Sequence, residues 1–140
     1  METLKISDLS VGDWVRDGNG IIAKVRGIEN WSDGYILNVQ TVSGSICTLS
    51  VTGALPIPIT AEILEKNGFA RGQRGSFYHY LRLDKNRTLY IHASTNGWRA
   101  EITYDAAGIL RTTHLVPDMN SVHVLQHALR LAGIDEEINL

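Results

Sequence analysis

The chain has 140 residues, 44% of them apolar and 20% charged, with a formal net charge of −2. That is room for one domain or two small lobes of ordinary globular composition. It excludes a protein that coats nucleic acid through overall positive charge and leaves only local basic patches for that role.

The first half reads as short strands joined by tight turns. In GDWVRDGNGIIAKVRGI the pattern predicts a strand over residues 13–16, a turn at Asp17-Gly18-Asn19-Gly20 and a return strand over residues 21–28. YILNVQTV and SICTLSVTG are two more alternating runs, separated by Ser43-Gly44. Four or five short strands without a helix suggest a small curled barrel or sandwich, and a small all-β barrel is expected over residues 1–54. Cys47, the single cysteine, excludes an internal disulfide and fits a reducing compartment. Within its alternating run it reads as a small buried hydrophobe, since no basic neighbour activates it as a thiol.

ALPIPIT breaks this pattern, because Pro56 and Pro58 cannot sit in a central strand. Residues 55–140 then read as a second, α+β lobe. Thr60 has the chemistry of an N-cap, Glu62 suits the first turn, and AEILEKN runs to Gly68, burying Ile59, Ile63, Leu64 and Phe69. Four alternating runs follow, SFYHYLRL, TLYIHAS, WRAEITY and ILRTTHLV, with links so short that they must form an antiparallel meander. Pro117 is expected to stop the last strand, Asn120 or Ser121 to cap a final helix and Gly133 to end it. The whole is α+β: a small barrel, then a four-stranded meander flanked by two helices.

On the final helix Val122, Leu125, Leu129 and Ala132 recur at spacings of three and four, a core stripe. His123 and His127 are four apart on its flank, the spacing at which two histidines can share a zinc ion. Zinc hydrolysis needs a carboxylate directly after the first histidine, where this chain has Val124, and a third ligand that neither His114 nor Asp118 supplies at a recognised spacing. The reading is a packed helix with partly wet histidines, and no metal or other cofactor is expected.

VHVLQHALRLAGIDEEINL resembles the C-terminal signature of a group of small uncharacterised bacterial and phage-associated proteins whose chains end in a V-H-x-L-Q helix. The matching positions are Val122, His123, Leu125 and Gln126, with the segment over residues 58–69 as a second block. The resemblance implies a shared fold and a mobile-element origin, and no activity. Separately, LSVGDWV leading into GIIAKVRGI resembles small barrels of the KOW and Src-homology type, which bind RNA, ribosomal partners or peptides. The first sixty residues carry only Lys5, Arg16, Lys24 and Arg26 against six acids, which argues against RNA for this lobe.

No Gly-x-Ser-x-Gly elbow, phosphate loop, dinucleotide fingerprint or Cys-x-x-Cys is present; ARGQRG is glycine-spaced but lacks the phosphate-loop lysine. The acids are scattered over turns and caps, and the DEE at residues 135–137 reads as a solvated tail. A non-enzyme is expected. The informative signal is sided. Between Phe69 and Arg99 there are six basic residues and one acid, Asp84. Alternation puts Phe77, His79, Leu81, Leu83, Leu89, Ile91, Ala93, Trp98, Ala100, Ile102 and Tyr104 on one face and Tyr78, Tyr80, Arg82, Tyr90, His92 and Arg99 on the other. Aromatics among arginines suit a peptide's apolar side chains, stacked bases, a second copy of the chain, or a covered seam between lobes. Trp14 and Trp31 read as core or rim residues, with Trp31, in ENWSDG, the more exposed. The expected function is a non-catalytic binding or adaptor module with a protein or peptide partner, nucleic acid being the alternative. No charged-then-apolar leader follows Met1 and no apolar run approaches eighteen residues, so a cytoplasmic protein with no membrane partner is expected.

Overall fold

A computed structural model describes residues 4–74, 76–94, 97–134 and 137–140. The chain divides into two compact units, one comprising Met1–Pro58 with Ser121–His123 and the other Ile59–Asn120 with Val124–Leu140. Both are built on antiparallel sheets, and among the described residues the two α-helices belong to the second half of the chain, an α+β arrangement.

The first unit is a four-stranded sheet in the order β1 (Trp14–Arg16), β2 (Ile22–Trp31), β3 (Gly34–Thr41) and β4 (Ile46–Ser50). The turn before β2 forms because the Asp17 carboxylate accepts from the Asn19 and Ile21 amides at 2.8 and 2.9 Å. Asp13 is buried, and its carboxylate accepts from the Ser10 amide at 2.7 Å, so the Gly-Asp-x-Val segment serves the chain's entry into the sheet. One face packs Leu9, Val15, Ala23, Val25, Leu37, Val39 and Ala54 into a core, with Leu4, Ile6, Ile28, Leu49 and Val51 against it.

This sheet does not close into a barrel. Closure would pair β1 with β4, but the outer edge of β1 is occupied by the backbone of Leu55, whose amide and carbonyl bond to Arg16 at 2.8 and 3.0 Å. Cys47 is exposed, against expectation. It pairs with Val39, which is buried, but β4 is the last strand of the sheet, and the core-facing side runs past its cover there.

The second unit is a five-stranded meander, β5 (Ala70–Arg74), β6 (Ser76–Arg82), β7 (Arg87–Ser94), β8 (Gly97–Ala106) and β9 (Ile109–Met119), neighbours in that order. The stretch ARGQR, with no alternation of its own, is thus a strand, recruited by its pairing with β6. Helix α1 (Ala61–Lys66) starts where the Thr60 hydroxyl accepts from the Ile63 amide at 3.2 Å and closes with the Phe69 amide bonded to the Leu64 carbonyl at 3.0 Å. Pro117 does not stop β9. It lies on the outermost strand, in the interval between Val116 and Met119 that has no register partner on β8, so a missing N–H is tolerated there.

Helix α2 (Val122–Leu131) buries Val122, Leu125, Ala128, Leu129 and, just past its end, Ala132. His123, expected on a wet flank, is 3% exposed, whereas His127 is half-buried. Gln126 is buried as well, its amide oxygen accepting from the Ile138 N–H at 2.7 Å. Asn67 bonds Asn139 in both directions at 2.7 and 2.8 Å. Ile138 and Asn139 are therefore held in place, whereas Glu137 is exposed; Asp135 and Glu136 lie outside the described residues. A cavity of about 160 Å³ lined in part by Phe69, Leu81, Leu129 and Ile138 places both helices on the apolar side of the meander.

Candidate functional site

Antiparallel pairing carries each residue and its cross-strand partner to the same side. The register Tyr78↔His92, Tyr80↔Tyr90 and His79↔Ile91 therefore separates two faces of the meander. His79, Leu89, Ile91 and Ala100 face the core and are buried. Gly72, Tyr78, Tyr80, Tyr90, His92, Arg99 and Glu101 share the opposite face. Phe77 and His114, also assigned to strands, have side chains outside the described residues.

Four rings form one continuous cluster. Tyr78 sits at its centre, 6.1 Å from Tyr80, 5.7 Å from Tyr90 and 5.9 Å from His92 between ring centroids. Tyr80 and Tyr90 are 6.3 Å apart, and Tyr90 stacks on His92 at 6.0 Å with 20° between planes. These separations are those of interacting aromatic pairs. Tyr80 is 36% exposed, while Tyr78, Tyr90 and His92 are half-buried, so the rings lean on one another and keep their upper surfaces accessible.

The seat of the central ring is a glycine. Gly72 pairs with Tyr78 across β5 and β6, and a Cβ at residue 72 would overlap the tyrosine's ring carbons and hydroxyl. The missing side chain lets Tyr78 lie across the edge strand, an aromatic covering a strand glycine. Sequence reasoning missed Gly72 because it did not recognise β5.

The polar border is set by Glu101. Its carboxylate accepts from Arg99 Nε at 3.1 Å and lies 3.6 Å from His92 Nε2. Burial holds the His92 pKa below the ordinary histidine value, with Glu101 pulling it up and Arg99 pushing it down. A neutral imidazole extends the aromatic surface at physiological pH, and Arg99 presents a guanidinium anchored at one end. Alternation places Glu101 here, so its absence from the sequence-derived set was one of emphasis. Arg82 is on the same face through its pairing with Thr88, is exposed, and donates to the Lys85 carbonyl at 3.4 Å. It stands at the rim.

His123 and His127 differ in burial, and among the described residues no group of three histidine, cysteine, aspartate or glutamate side chains is arranged to hold a metal ion. Trp31, at the tip of the β2–β3 hairpin, is 60% exposed and its indole N–H donates to Glu29 at 2.9 Å. No helix among the described residues is long and apolar enough to cross a membrane. The chain matches no family model, no curated protein and no solved structure.

Proposed function

We propose that this protein is a non-catalytic binding or adaptor module that engages a protein or peptide through the Tyr78, Tyr80, Arg82, Tyr90, His92 and Arg99 face. The observation that carries the reading is the unbroken contact among four rings, each within 6.3 Å of a neighbour, on a sheet surface open to solvent and edged by guanidinium groups. Tyrosine and arginine are the residue types that concentrate binding energy at protein interfaces, because each offers a large rigid apolar area with a polar tip. Glu101 favours a peptide over nucleic acid, since a carboxylate set against Arg99 neutralises the charge a phosphate backbone would seek.

The test pairs Tyr80→Ala with Arg99→Ala. Both side chains are substantially exposed, at 36% of the residue and 49% of the side chain, so the double variant should melt within a few degrees of the parent. A partner retained by the parent from its host lysate and identified by mass spectrometry should bind the purified variant at least tenfold more weakly. Unchanged affinity rejects the face. Titration with single-stranded oligonucleotides at two salt concentrations separates the alternative: tight binding that collapses with salt would replace the peptide reading.

A further inference from the structure

Among the described residues four strands end the two sheets, and three of them are guarded against a second neighbour. The outer edge of β1 is bonded to Leu55. β5 carries Arg71, and β9 carries Arg111 and the imino residue Pro117, a charge or a proline of the kind that keeps edge strands from pairing with another chain. Among the described residues β4 has none of these devices. Its residues Ile46, Cys47, Thr48 and Ser50 are exposed and Leu49 is half-buried; Ile46 is 77% exposed and Val42, just before it, 67%. Its pairing with β3 runs from Gln40↔Ile46 to Ile36↔Ser50 without a bulge that would twist the edge away. No charged side chain occurs anywhere between Asp33 and Glu62.

We propose that the β4 edge is a self-association site, where a second copy of this chain adds its own β4 antiparallel about a two-fold axis to make one eight-stranded sheet. A second copy is favoured over a foreign strand by charge. An uncharged strand offers nothing by which to select a charged partner, and two copies of it meet without like-charge repulsion. The sequence is also self-complementary about Thr48. Centred there, Thr48 faces its own copy, Ile46 faces Ser50, and Cys47 faces Leu49. Cys47 and Leu49 both lie on the core-facing side, through Val39 and Leu37, so the pairing covers the exposed thiol with the second copy's leucine and joins the two apolar faces. A two-fold contact of this kind is the commonest way soluble chains associate. Five residues per copy fall below the area of a stable interface, so the dimer is concentration-dependent.

The test uses the full chain and two edge variants, Thr48→Lys and Ile46→Lys, whose exposed side chains leave the fold alone; matching melting temperatures establish that. Sedimentation of the parent should show a mass rising with concentration toward twice 15.5 kDa, while Thr48→Lys, which sets two ammonium groups face to face on the axis, stays at 15.5 kDa. Reaction of Cys47 with a thiol reagent should slow several-fold over the same concentration range in the parent and stay constant in the variant. A parent that remains monomeric to about 1 mM overturns the proposal. So does a parent dimer that both lysine variants retain, or a thiol whose reactivity ignores dimerisation.

Discussion

Gly72 is where the aromatic face is most easily broken by one atom. Replacing it with alanine introduces a methyl group into the volume held by the Tyr78 ring, and an edge-strand backbone beside a ring can yield only by moving the ring. Gly72→Ala should therefore cost about 1–3 kcal/mol of stability, the range of small-to-large changes in packed positions. It should also reduce the tyrosine near-ultraviolet dichroism, since Tyr78 touches Tyr80, Tyr90 and His92. A variant with parental melting and an unchanged spectrum would show that the seat is loose. Residues of this kind were only half legible in the sequence. Period-two alternation located Tyr78, Tyr80, Tyr90, His92 and Arg99 on one side, because strand geometry forces it. It could not locate Gly72, whose role depends on a cross-strand neighbour. Nor could it see that Cys47 is exposed, since alternation reports which face a side chain takes and not whether anything covers that face. His123 failed in the opposite sense: helical periodicity put it on a flank, and the packing around α2 buried that flank too.

At the level of elements, links carry as much information as strands. The β8–β9 hairpin turns through Ala107 and Gly108, both with positive φ, at 54° and 80°. Left-handed backbone at two successive central residues is the hairpin turn that matches sheet twist, and it favours asparagine followed by glycine. Ala107 pays the Cβ penalty of that conformation. Ala107→Asn should raise stability by about 0.5–1 kcal/mol, read as a higher denaturant midpoint at unchanged slope, because asparagine tolerates this region better than alanine. A neutral or lower midpoint would mean that the turn relaxes to another geometry in solution. The same dependence on context explains which elements the sequence concealed. ARGQR lacks apolar alternation because β5 is an edge strand whose identity comes from hydrogen bonding to β6. Pro117, a reliable stop in a central strand, is harmless on outer β9. The barrel expectation failed for a reason outside the strands themselves: Leu55, in the proline-flanked connection, occupies the edge that closure requires.

For the molecule as a whole, histidine distribution sets the response to acid. All five histidines fall between residues 79 and 127, and none lies in the first half of the chain. His79 is the decisive one. It is 2% exposed, with its ring edge-on to Trp98 at 6.0 Å, and neither of its nitrogens has a hydrogen-bond partner among the described residues. Its pKa lies below the ordinary histidine value, chiefly through burial, with Glu65 on α1 opposing that shift and Arg71, its partner across β5 and β6, adding to it. The direction determines the pH dependence. The unfolded chain binds a proton near the ordinary value of about 6.5, and the folded chain resists it until lower pH. Stability is therefore full above that value and lost as pH falls through it, at up to about 1.4 kcal/mol per pH unit until the folded imidazole also protonates. His92 shifts in the same direction but is partly exposed, and solvent moderates its share. His79→Phe keeps a ring against Trp98 and removes the titration, so its denaturant midpoint should change less between pH 7 and pH 5 than that of the parent. Equal acid sensitivity in the two proteins would assign the loss to other titrating groups and show that His79 finds a hydrogen-bond acceptor or a route to water in solution.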